Sequence, residues 1–152
     1  MYLRLLVPAL ASIAAGLSLS ATAQSANPAG LWRTIDDASG KPRAEVRITV
    51  ADGTAEGRVV RSLVAGEKPD ARCDKCSDAR KGQPIIGMAM LTGLRQDAGD
   101  PRVWSGGEIL DPDNGTVYRA RIELSPDGRE MQVRGFVGIA LFGRTQVWQR
   151  AE

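Results

Sequence analysis

From residue 30 onward, apolar and polar positions alternate with a period of two, and Gly, Pro, Asp and Asn break the alternation at short intervals. Side chains of a strand point to opposite faces in turn, so this pattern predicts strands with one buried and one wet face. In 44–50, Val46, Ile48 and Val50 oppose Glu45, Arg47 and Thr49. In 116–124, Tyr118, Ala120, Ile122 and Leu124 oppose Val117, Arg119, Arg121 and Glu123. In 129–138, Met131, Val133, Gly135 and Val137 share a face, with Arg134 and Phe136 on the other. Eight segments read as strands: 30–36, 44–50, 54–64, 84–95, 102–110, 116–124, 129–138 and 144–150. Helical periodicity is nearly absent after residue 23.

The connections are mostly short and carry turn chemistry, as in "DASGKP", "ADG", "DPDNG" and "SPDG". Such turns join antiparallel neighbours, so the expected fold is an all-β, up-and-down meander of about eight strands. A flat meander leaves two edges open, and closure into a barrel removes them. Gly87, Gly106, Gly107 and Gly135 fall inside the predicted strands and suit the kinks of a barrel, although they also suit bulges in a sandwich. The expected barrel lining includes Val46, Ile48, Met88, Met90, Tyr118, Ile122, Met131 and Val133. An eight-stranded barrel can be filled by its side chains or can hold one small ligand.

The first residues change where this fold is expected to work. "MYLRLLVPALASIAAGLSLSATAQ" has a basic start at Arg4, an apolar run and a small-x-small site at Ala21 to Ala23. That is the pattern of a cleaved signal peptide. The run is interrupted by Pro8 and falls short of the roughly 20 residues a spanning helix needs. The expected organisation is therefore a signal peptide over 1–23 and one domain over 24–152. The mature protein is expected to be periplasmic or secreted, soluble and without a membrane span. Cleavage removes Arg4 and no acid, so 20 basic residues become 19 against 18 acidic ones. Near neutrality gives no reason to expect nucleic acid as a partner.

The two ends of the predicted barrel carry a further pattern. Gly30-Leu31-Trp32 opens the first strand, and Arg150 ends the last. This arrangement resembles the signature of lipocalins and their calycin relatives. The resemblance implies that Trp32 plugs one end and that Arg150 packs across its ring. The blocks "GLWRT", "QPIIGMAMLTGL", "GGEILDP" and "VRGFVGIALFGRTQVW" occur together and in order. With them the chain resembles an uncharacterised bacterial secreted family, a domain of unknown function with lipocalin-type barrels. That likeness implies fold and export and carries over no catalytic residue.

Cys73 and Cys76 are the only cysteines and sit in a long polar loop over 66–83. A redox centre of thioredoxin type needs a helix after its first cysteine, and "SDARKGQP" does not supply one. A structural zinc site needs four ligands, whereas the chain has two cysteines and no histidine. In an exported protein a disulfide between the two is the expectation. The loop reads either as a lid over a barrel mouth or as a solvated excursion.

The absence of histidine removes Ser-His-Asp triads, Cys-His pairs and histidine-bound zinc. No catalytic residue, metal or cofactor is expected. Three functional classes stay open: a carrier of a small apolar or amphipathic ligand, an envelope interaction module with a filled barrel and an unidentified protein partner, and an enzyme built on carboxylates at the barrel mouth. Tyr118 would be the polar handle in the first.

Overall fold

The computed structural model describes residues 26–152, so the expected signal peptide over 1–23 lies outside the described residues. Eight strands form: β1 (Gly30–Ile35), β2 (Pro42–Ala51), β3 (Thr54–Ser62), β4 (Ala89–Gln96), β5 (Val103–Asp111), β6 (Thr116–Leu124), β7 (Glu130–Phe136) and β8 (Gly143–Arg150). Each pairs antiparallel with the next, and β8 returns to β1, so the sheet closes into an up-and-down barrel. No helix among the described residues is long and apolar enough to cross a membrane.

The pairing register keeps the apolar set on the inside. Ile48 lies opposite Gly57, Gly57 opposite Leu91, Leu91 opposite Ile109 and Ile109 opposite Tyr118. A slip of one residue in any of these pairs would turn that strand's apolar side chains outward. Gly107 is needed for closure: a Cβ there would overlap the Thr92 carbonyl on β4. Beside it, Gly106 takes a φ of +78°, which L side chains rarely adopt, where β5 bulges against β6.

Most strand ends fall within two residues of expectation, and two of the differences bear on the site. The fourth strand starts at Ala89 rather than residue 84, because the chain before it is still turning: Gly87 has a φ of +87° and precedes the strand. The seventh strand ends at Phe136, and residues 137–142 leave the sheet as a loop containing a short 3-10 turn, Ala140–Phe142.

Turns β2–β3, β4–β5 and β6–β7 gather at one end of the barrel with the start of β1 and the end of β8. This end is packed shut. Trp32 is fully buried and its indole N–H donates to the Pro28 carbonyl at 2.7 Å. The Arg150 guanidinium lies over the Trp32 ring, 4.3 Å from its centroid. It also donates to the carbonyls of Gly128 (2.7 Å), Ala29 (2.8 Å) and Asn27 (3.1 Å). One side chain thus ties together the last strand, the β6–β7 turn and the segment leading into β1. Burial pushes the Arg150 pKa below its ordinary value, but a guanidinium starts so high that it stays charged. Above this plug, Val46, Ile48, Leu91, Ile122, Met131 and Trp148 fill the lower barrel.

On the outer face, Glu45 on β2 is almost fully buried between Arg61 on β3 at 2.7 Å and Arg33 on β1 at 3.3 Å. The Arg61 hydrogen bond, then that of Arg33, holds its carboxyl below the usual range against the opposing effect of burial. A depressed carboxyl contributes stability above its unfolded pKa, and that contribution is lost as pH falls through the folded value.

Three outcomes are expected in denaturant unfolding. Trp32→Ala should cost about 3–5 kcal/mol, as for other buried aromatics. Arg150→Lys should fail to restore what Arg150→Ala loses, because an ammonium cannot stack and reach three divergent carbonyls at once. Glu45→Gln should be less stable than wild type at neutral pH, and the gap should narrow in acid below about pH 4. A gap independent of pH would contradict the assigned role of the ion pairs.

Candidate ligand-binding cavity

The other end of the barrel is open. Here the walls enclose a cavity of about 460 Å³. Every strand contributes to it: Thr34 from β1, Ala44 from β2, Val59 from β3, Met90 from β4, Ile109 from β5, Tyr118 from β6, Val133 and Gly135 from β7, and Gln146 from β8. Gly135 and Ala44 are small residues in this lining. A Cβ on Gly135 would sit 3.3 Å from Ile109 Cγ2 and 3.4 Å from Tyr118 Cβ, so any larger residue there would enter the cavity. Met90 reaches the wall through a bulge. Gly57 pairs with Leu91 and Arg58 with Ala89, which leaves Met90 as the extra residue between them.

The expected lining residues divide into three groups. Met90, Tyr118 and Val133 border the cavity. Val46, Ile48, Ile122 and Met131 point inward too, but they are packed in the filled core. Met88 is the correction: it is not part of the lining. It lies before β4 and packs against Cys73, Cys76 and Leu110 in a second, smaller core on the barrel's outer side. Arg134 points away from the interior and donates to Ala140 O, Leu141 O and Thr145 Oγ1 around the 137–142 loop.

Cys73 and Cys76 form a disulfide, and both are buried. Their loop acts as a buttress. It covers Leu110 and Val117, two apolar residues on the outer face of β5 and β6, and grips the β5–β6 turn. Lys75 Nζ donates to the Asp113 carbonyl at 2.8 Å. Gly115 has no room for a side chain, because a Cβ would overlap the Lys75 carbonyl. Within the loop, a bidentate hydrogen bond from Arg80 holds the Asp78 carboxyl down to about 2. The near ends of the loop, at Val64, Glu67 and Ile85, border the mouth.

The mouth is polar, and both of its arginines are paired with rim carboxylates. Arg43 on β2 meets Asp113 at 2.9 Å and Asp36 at 3.6 Å. β3 and β4 separate β2 from the β5–β6 turn in the barrel wall, so the Arg43–Asp113 pair is a chord across the opening. Arg144 on β8 makes a bidentate pair with Asp37, and its hydrogen bond lowers the Asp37 pKa. Asp36 is lowered mainly by the Ser39 hydroxyl and backbone N–H, with Arg43 adding to it. At the rim the Tyr118 hydroxyl accepts from the Asn114 amide at 3.3 Å, and deeper in Gln146 Oε1 accepts from the buried Trp148 indole at 3.2 Å. Among the described residues, no three His, Cys, Asp or Glu side chains cluster as a metal site would require.

Sequence reasoning did not reach Thr34, Ala44, Val59, Ile109, Gly135 and Gln146 as cavity residues. Ile109 and Gly135 were legible from alternation. Gln146 was not, because a polar residue among strand alternation reads as outward.

The bacterial family described as "Uncharacterized protein conserved in bacteria (DUF2147)" matches the chain over residues 30–150. No curated protein matches it in sequence. Among solved structures it is similar to "Protein HP1028 from the human pathogen Helicobacter pylori belongs to the lipocalin family", with 17% identity and a TM-score of 0.70. That likeness covers 83% of this chain and 84% of the other. At that identity it is a likeness of fold, and it agrees with the lipocalin-like closure described above.

Replacing Cys73 and Cys76 together by Ser should cost about 2 kcal/mol, since so short a ring removes little chain entropy. Limited proteolysis should then cut within 63–88 while the barrel survives. Loss of cooperative barrel unfolding in that variant would show that the buttress holds the fold itself.

Proposed function

Because the chain belongs to the DUF2147 family and folds as a lipocalin-like barrel, we propose that it is an exported carrier of a small apolar or amphipathic molecule held at the open end. The observation that carries this reading is the division of the barrel: the half beside Trp32 is filled, and the other half encloses about 460 Å³. That volume lies in the roughly 300–1,000 Å³ range of small-molecule sites. Met90, Ile109, Val133 and Phe136 supply apolar wall, and Tyr118 and Gln146 supply a few polar groups, as such pockets require. Methionine adapts its shape, which suits a permissive pocket. Tyr118 is the proposed polar handle.

Export is supported by the signal-like first 23 residues and by the disulfide, which persists in oxidising compartments. Binding without chemistry is the reading that the rim favours. Asp36 and Asp37 are held below the ordinary carboxylate range, the opposite of what a general acid needs near neutral pH. The rival picture of a wholly filled barrel conflicts with the open half.

Gly135→Phe should fill the cavity. Titration with an apolar fluorescent dye should show at least roughly tenfold weaker binding than wild type, given that a lost pocket contact of 1.4 kcal/mol already weakens binding tenfold. The thermal transition should remain cooperative. Equal dye affinity in the folded variant would place the dye elsewhere and remove the cavity as the site.

A further inference from the structure

Four of the most exposed apolar side chains in the described residues belong to one loop. Val137 is 68% exposed, Ile139 60%, Leu141 75% and Phe142 74%. The segment from Gly135 to Gly143 contains no charged residue, in a chain where charged residues make up 25%. An apolar tip of this kind is unfavourable in water and is retained where something covers it.

We propose that this loop docks the mouth of the barrel onto an electrically neutral lipid surface. Three observations select lipid as the occupant. The first is continuity. Val137 and Phe142 border the cavity as well as forming the tip, so insertion of the tip lays the cavity's opening against the lipid. The second is size. A stable protein interface uses about 20–30 residues a side, whereas this tip is a single short projecting loop. The third is charge and polarity. Arg43 is paired with Asp36 and Asp113, and Arg144 with Asp37, so neither rim arginine is left for lipid phosphates.

The loop is also prepared to leave water. Exposed carbonyls are costly in a lipid interface unless they are bonded. The Arg134 guanidinium satisfies Ala140 O at 2.5 Å and Leu141 O at 3.1 Å, and the Phe142 N–H donates to Ile139 O at 3.2 Å. Arg134 in turn is braced by Thr145 Oγ1 at 2.7 Å. The side chains can therefore enter the interface on a loop whose shape is already set. This inference concerns the loop's contact with lipid and stands apart from whether the cavity holds a ligand.

The test is co-sedimentation of the protein, as its host makes it, with vesicles of phosphatidylcholine alone, at low and high salt. Binding should be present at both and should be no stronger when anionic lipid is added. The double substitution Leu141→Asp with Phe142→Asp should weaken it at least roughly tenfold, since two large apolar side chains no longer enter the lipid. The thermal midpoint should be unchanged, because both side chains are exposed. Independently, Phe142→Trp should show a blue-shifted emission on adding vesicles. No binding to phosphatidylcholine, binding that needs anionic lipid or disappears at high salt, or binding unaffected by the two aspartates would each overturn the proposal. Failure of the tip to bind lipid while capturing a protein would assign the surface to a protein partner instead.

Discussion

Closure between β1 and β8 is the constraint on which the molecule depends, and it is secured where Arg150 covers Trp32. A short β1–β8 ladder would be a weak seam if its backbone hydrogen bonds stood alone. The seam is reinforced from within by a fully buried indole and from below by a guanidinium that serves three carbonyls. Charged hydrogen bonds of this kind are stronger than neutral ones, and the fork geometry fixes direction as well as energy. With one end sealed, the barrel has an inside and a single opening. The ordering of the chain into a filled half and an open half follows from that.

The open half is maintained by small residues and by support from outside. Gly135 and Ala44 leave room that a larger side chain would occupy. The walls around this space cannot rely on interior packing, so they are braced elsewhere. The disulfide loop packs on the outer face of β5 and β6 through Leu110 and Val117 and grips the turn beyond them. The Arg43–Asp113 pair spans the opening, and Arg144 joins β8 to the β1–β2 turn. An unfilled interior in a well-ordered barrel is therefore consistent with the rule that cores pack tightly, because the stability has been placed in the plug and the outer braces.

Much of this was legible in the sequence, and the reasons for the rest are physical. Alternation in "TVYRARIEL" identifies Tyr118, Ala120, Ile122 and Leu124 as one face, and the structure turns that face inward. The strand count, the antiparallel order and closure follow from the same periodicity with its turn residues. Trp32 and Arg150 stand out as end residues, and the structure stacks them. Met88 escaped correct placement because period two holds only within a regular strand, and the bulge at Met90 and the turn at Gly87 break it. The outer core did leave a trace. Val117 is the apolar member of a face otherwise made of Arg119, Arg121 and Glu123. An apolar residue on a wet face asks for a cover, and the Cys73–Cys76 loop is that cover. The Arg43–Asp113 and Arg144–Asp37 pairs left no trace, because only the closed barrel brings together residues so far apart in sequence. The Arg134 clamp is local to the β7–β8 connection, but it holds backbone carbonyls, which carry no residue signature.

The central claim is that the open half of the barrel is a binding site. Native mass spectrometry of protein purified from its own host tests it most directly. The account predicts a folded species carrying the added mass of one small organic molecule, released when the protein is denatured. A folded protein at its bare polypeptide mass, which also takes up no apolar dye, would contradict it.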